Sequence, residues 1–174
     1  VNPATSGAQH LFVRDVTDGV TTLLTRTVDG SAEANDDSTH PVVSTDGRFV
    51  VFVSKATNLV GGVTNGHHHI YLLDRDADND GIYDEYGDGG GVRYYLVSGY
   101  YDGGTEFVSV GNGSSWYPSI TTTGSGISRV VYIVYQSAAN NLLGDGVDTN
   151  NATDIFLYSL AANAENKYQN TFLI

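Results

Sequence analysis

At 174 residues the chain can form one compact domain or a run of small repeats around an apolar core, and it is too short for two ordinary domains. Eight Lys and Arg stand against 20 Asp and Glu, a formal charge of −12, which excludes the clustered cations that a nucleic-acid or anionic-membrane surface needs. Cysteine is absent, so no disulfide, thiolate metal site or cysteine nucleophile is available. Of the acids 16 are Asp and only 4 Glu, which places the negative charge in turns rather than helices. With 21 Gly and 12 Tyr, plus abundant Val and Thr, the composition suits strands and tight turns and excludes long helices.

Alternating or β-branched runs bounded by Gly, Asp, Asn or Pro predict ten strands: 11–16, 21–28, 41–45, 48–54, 69–75, 93–99, 117–123, 129–136, 154–160 and 167–173. No apolar stretch approaches the ~20 residues of a membrane-spanning helix, so membrane insertion is not expected. The chain opens Val1-Asn-Pro-Ala-Thr and contains no Met, which predicts a chain that is processed, excised or read without its start, best matched by a mature secreted protein.

An internal repeat organises these strands. His40-Pro41-Val-Val-Ser-Thr-Asp-Gly aligns with Tyr117-Pro118-Ser-Ile-Thr-Thr-Thr-Gly, and Phe52-Val-Ser-Lys-Ala-Thr-Asn-Leu-Val60 with Tyr135-Gln-Ser-Ala-Ala-Asn-Asn-Leu-Leu143. His69-Ile-Tyr-Leu-Leu, Asp154-Ile-Phe-Leu-Tyr and His10-Leu-Phe-Val-Arg form a third set. Asp29-Gly-Ser-Ala-Glu33 matches Asp102-Gly-Gly-Thr-Glu106, so residues 1–40 are the back half of a unit, followed by full units at 41–100 and 117–174. The prediction is an all-β domain of about two and a half four-stranded antiparallel units of the kind that serve as propeller blades.

Pro41-Val-Val-Ser44-Thr-Asp46-Gly47-Arg48-Phe-Val-Val-Phe52, followed by Ala56-Thr-Asn58-Leu59, resembles the repeat of TolB-type β-propellers of secreted and periplasmic proteins, and the resemblance covers nearly the whole chain. It implies a Ser-x-Asp-Gly turn between the two inner strands of each blade and an Asp-rich calcium loop after the third. The second full unit departs from it at Thr123-Gly124. Closing a ring takes roughly 4 to 8 blades. The missing blades are therefore expected from further sequence or from other chains, as a homo-oligomeric ring or a filament.

The strongest chemical motif is Asp76-Ala-Asp78-Asn-Asp80-Gly81-Ile82-Tyr-Asp84-Glu85. Carboxylates at positions 1, 3 and 5, glycine at 6, a backbone carbonyl at 7 (Ile82) and an acid at 9 (Asp84) trace the ligand arc of a calcium loop. Position 12 is Gly87 and the flanks read as strands, so the loop is no helix-loop-helix sensor. It is similar to the loops of dockerins and thrombospondin type 3 repeats, closed by Asp84, Glu85 or Asp88. So many acids in ten residues repel one another without a cation.

Asp148-Thr-Asn150-Asn-Ala-Thr-Asp154 predicts a second calcium loop from alternating side-chain oxygens, with Asp145 as an extra candidate ligand. Its counterpart, Val63-Thr-Asn65-Gly-His-His-His69, lacks both aspartates, and His67 and His69 are candidate transition-metal ligands or simply a solvated run. No nucleophile elbow, phosphate loop or zinc-peptidase helix is present, so no catalytic residue and no enzyme activity are predicted. Trp116 with Tyr94, Tyr95, Tyr100, Tyr101 and Tyr117 are candidates for stacking on a glycan or for interblade packing. Asn112-Gly-Ser114 and Asn151-Ala-Thr153 are glycosylation sequons. The sequence thus leads to an extracellular, calcium-stabilised structural or adhesive protein that self-associates, the alternatives being a piece of a larger propeller enzyme or sensor, or a lectin.

Overall fold

The computed structural model describes residues 7–102, 107–162 and 169–174. Of the predicted features, residues 103–106 of the Asp102–Glu106 match, 1–6, and the start of the last predicted strand at 167 and 168 lie outside the described residues.

Among the described residues twelve strands form four antiparallel sheets, none closed into a barrel. β1 (Phe12–Arg14) and β2 (Thr21–Leu23) make a ribbon. β3 (Ser38–Val43), β4 (Phe49–Ser54), β5 (His69–Asp74) and β6 (Arg93–Leu96) form a four-stranded meander. β7 (Gly99–Tyr100) and β8 (Ser109–Val110) form a second short ribbon. β9 (Ser115–Thr123), β10 (Arg129–Ser137), β11 (Asp154–Ala162) and β12 (Gln169–Leu173) repeat the meander. The fold class is therefore all-β, and its half unit and two full meanders are consistent with incomplete propeller blades. All ten predicted strands find a counterpart. The structure adds β7 and β8, each only two residues long. Among the described residues the one helical turn is 3-10, Gly126–Ser128, and no helix is long and apolar enough to cross a membrane.

The repeat is visible atom by atom. His40 (φ 53°) and Tyr117 (φ 54°) both adopt the left-handed conformation just before a proline, at matching breaks of register in β3–β4 and β9–β10. The Ser38 hydroxyl bonds that of Ser54 at 3.0 Å, and Ser115 that of Ser137 at 2.8 Å, both pairs buried. The Asn35 amide N–H donates to Asn58 Oδ1 (3.0 Å) while the Thr57 N–H returns to Asn35 Oδ1 (2.8 Å). Asn112 repeats this clasp with Asn141 (2.9 Å) and Asn140 (3.0 Å). Phe52 stacks on Tyr71 at 5.7 Å, and Tyr135 on Phe156 at 5.8 Å.

Two apolar layers hold the units face to face. One joins Leu11 and Leu24, which flank the first ribbon, to Val50, Phe52, Tyr71 and Leu73. The other joins Phe49, Val51, Ile70 and Leu72 to Val131, Ile133, Phe156 and Tyr158. Covered on both sides, β4 and β5 are buried at every position, which is why their sequences, FVVFVS and HIYLLD, run apolar without alternation. β10 instead alternates buried positions with half-buried or exposed ones, because only one of its faces is fully covered.

Candidate metal centre

β5 ends at Asp74, and the chain from Arg75 to Val92 crosses to β6 as a long acidic loop. Two arginines anchor its start. Arg48, from the turn before β4, holds Asp74 with both branches of its guanidinium, Nε to Oδ1 at 2.7 Å and Nη2 to Oδ2 at 3.0 Å. Its third nitrogen donates to Asn79 Oδ1 at 2.7 Å and lies 3.9 Å from Asp76 Oδ2. Arg75 grips Asp84 in the same forked way, at 2.8 and 2.6 Å, and donates to the Gly47 carbonyl at 2.7 Å.

Between these anchors the loop winds into an arc. Asp76 Oδ1 accepts the backbone N–H groups of Asp80 (3.0 Å) and Gly81 (3.3 Å), and Asp80 Oδ1 accepts that of Ile82 (2.8 Å). Asn79 (φ 63°) and Gly81 (φ 89°) take the left-handed turns that fold the carboxylates inward. Asp76, Asp78 and Asp80 each bring a carboxylate oxygen within 4.8 Å of the others. Two oxygens bound to one calcium at ~2.4 Å stand at most about 4.8 Å apart, so the spacing suits a common ion. Opposite the arc, a Cβ added to Gly91 would meet Asp78 Oδ1 at 2.5 Å. The bare glycine is what lets that carboxylate sit inward.

The electrostatics are those of crowded acids. Burial and then the neighbouring Asp78 hold the Asp76 carboxyl above its ordinary range, against the pull of the loop N–H groups and Arg48. Glu85 is raised too, by desolvation and by Asp80, Asp78 and Asp76. The cluster can hold a metal ion. It borders an open groove of about 750 Å³ that runs to the β1–β2 ribbon and is lined by Arg14, Asp15, Asp18, Asp76 and Ile82 among others.

The other predicted ligands are placed differently. Asp84 is engaged by Arg75 rather than turned into the arc, Ile82 is exposed, and Asp88 lies exposed toward the far end of the loop. Asp148 is buried in the 138–153 loop, and Asn150 donates its side-chain NH2 to Asp154 Oδ1 at 3.2 Å while its own oxygen accepts the Ala152 N–H at 2.7 Å. That loop is thus closed by its own hydrogen bonds. The second oxygen of Asp154 is buried with no hydrogen-bond partner among the described residues. Neither ring nitrogen of His69 is open to a metal: Nε2 meets Asn65 Oδ1 at 2.8 Å and Nδ1 meets Ser98 Oγ at 3.1 Å.

The predicted aromatics divide in the same manner. Tyr94 and Tyr95 are buried in the packed layers, whereas Trp116 lies under His68 at 3.9 Å and beside His40, with Tyr117 exposed next to them. Arg48, Asn79 and Gly91 were not among the predicted site residues. The Gly89-Gly90-Gly91 run was the signal available for the last of these. No family model, curated protein or solved structure matches the chain.

Proposed function

We propose that the chain is a calcium-stabilised, non-catalytic structural module, a run of blade units of TolB type carried on a secreted or cell-surface protein. The observation that carries this reading is the convergence of Asp76, Asp78 and Asp80 in a loop braced from behind by Arg48 and Arg75. Oxygen-only ligands favour a hard cation, and the millimolar calcium outside cells fits an arc built from few carboxylates. Calcium here replaces repulsion among carboxylates with attraction and ties the crossing from β5 to β6 to the turn before β4. In this role the ion is a staple whose binding free energy adds to folding. The loop 148–154 is a weaker second calcium candidate in the same reading. The test is calcium titration of chelator-stripped chain followed by calorimetry and melting, against Asp78→Asn/Asp80→Asn. The reading predicts saturable binding and a higher melting temperature in the parent only, and equal behaviour of the two overturns it.

A second reading, glycan binding, draws on the exposed Tyr117 beside Trp116, His40 and His68. Binding to a glycan array that is lost in Tyr117→Ala supports it, and an array without hits removes it.

A further inference from the structure

The repeat allows each face of one unit to be compared with the same face of the next. In the first meander, the cross-strand row Val51, Leu72, Tyr95 lies on the face covered by the second meander. The register of the second meander places Val134, Leu157 and Phe172 in the same row. The residue types match, and the exposures do not: Val51 and Tyr95 are 0% and 7% exposed, Val134 and Phe172 38% and 50%. Ile155, at the position of the fully buried Ile70, is 43% exposed. The β9–β12 meander therefore carries, uncovered, the same apolar row that its neighbour buries.

The opposite end of the chain carries the complementary half. Within the chain, each row of this type is covered by the following unit's opposite face: Tyr71 and Leu96 share one apolar layer with Leu11, Val13 and Leu24 in and beside the β1–β2 ribbon, and Phe156 shares the other with Val51, Leu72 and Tyr95. In the ribbon the same pair is Phe12 with Leu23, and Phe12 is 44% exposed. One end thus presents the first half of an interface that the chain makes twice internally, and the other end presents the second half.

We propose that a second copy of this chain docks head to tail, its Phe12–Leu23 edge lying on the Val134–Leu157–Phe172 face. This rests on the structural-module reading above and names its partner. Because the two faces differ, the contact is heterologous and propagates, closing into a ring or extending as a filament.

Sedimentation velocity across a wide concentration range, with calcium and with chelator, tests it. The parent chain is expected to sediment as dimers and larger species. Val134→Lys/Ile155→Lys and, separately, Phe12→Lys are each expected to be monomeric with an intact β-sheet circular dichroism spectrum, while Val108→Lys, at an exposed position just before β8, leaves assembly unchanged. Each of the first two variants keeps one sound face, so mixing them is expected to restore a species of two chains and nothing larger. A parent chain that stays monomeric throughout overturns the proposal, as does Phe12→Lys assembling like the parent or a mixture that gives no two-chain species. Calcium-dependent melting of a monomeric parent chain overturns the docking alone. Assembly of a chain that binds no calcium overturns the calcium reading alone.

Discussion

Arg48 shows how much of this molecule depends on single charged groups held out of water. Its partner Asp74 is 1% exposed, and the fork between them also reaches Asn79 in the acidic loop. Arg48→Met leaves a buried carboxylate without its cation, a change that costs about 3–5 kcal/mol, to be read from denaturant unfolding. His69 makes a second prediction. Buried between Asn65 and Ser98, it is held neutral, its pKa pushed down to about 4 chiefly by burial and secondarily by His67 and His68. The unfolded ring titrates near 6.5, so between these values the unfolded chain binds more protons than the folded one. Stability from this group is complete above pH ~6.5 and is lost as pH falls toward 4, by about 3 kcal/mol in all. Unfolding free energies measured across that window should slope less steeply in His69→Gln than in the parent chain.

The loop from Arg75 to Val92 is the element on which the functional reading turns, and its glycines separate two effects. The nearest atoms to a Cβ at Gly91 belong to the Asp78 carboxyl, Oδ1 at 2.5 Å, whereas one at Gly90 meets the Glu85 backbone carbonyl at 2.0 Å. Gly91→Ala should therefore leave the melting temperature of the calcium-free chain nearly unchanged and weaken calcium binding about tenfold, the scale seen when groups supporting a ligand are disturbed. Gly90→Ala should destabilise the chain with or without calcium. The arc itself was legible in the sequence, since side chains at 76, 78 and 80 must converge once Gly81 turns the chain. What closes it was not. Counting along the chain assigns Asp84 to position 9, but the structure gives it Arg75, and it gives Asn79 to Arg48 across a strand. Pairings across an element leave no periodic trace. β7 and β8 escaped for a related reason, because two residues are too few for alternation to show.

At the scale of the whole molecule, the strand order and the repeat were readable because burial dictates pattern: two-sided burial gives the unbroken apolar run of β4 and β5. How many faces of each meander are covered was not readable, since Ile155 and Phe172 look in sequence like the buried Ile70 and Tyr95. With a charge of −12 and a core split into two thin layers, the folded chain gains most from a ligand that both neutralises acid and ties one element to another. At calcium a hundredfold above its dissociation constant that gain is about 2.7 kcal/mol, or roughly 5–10 °C in melting temperature for a chain of this size. The most direct test is the thermal melt of chelator-stripped chain before and after millimolar calcium, with magnesium as the comparison. The account predicts a rise of that order with calcium, absent in Asp78→Asn/Asp80→Asn. Superimposable melts of the parent chain with and without calcium would contradict it.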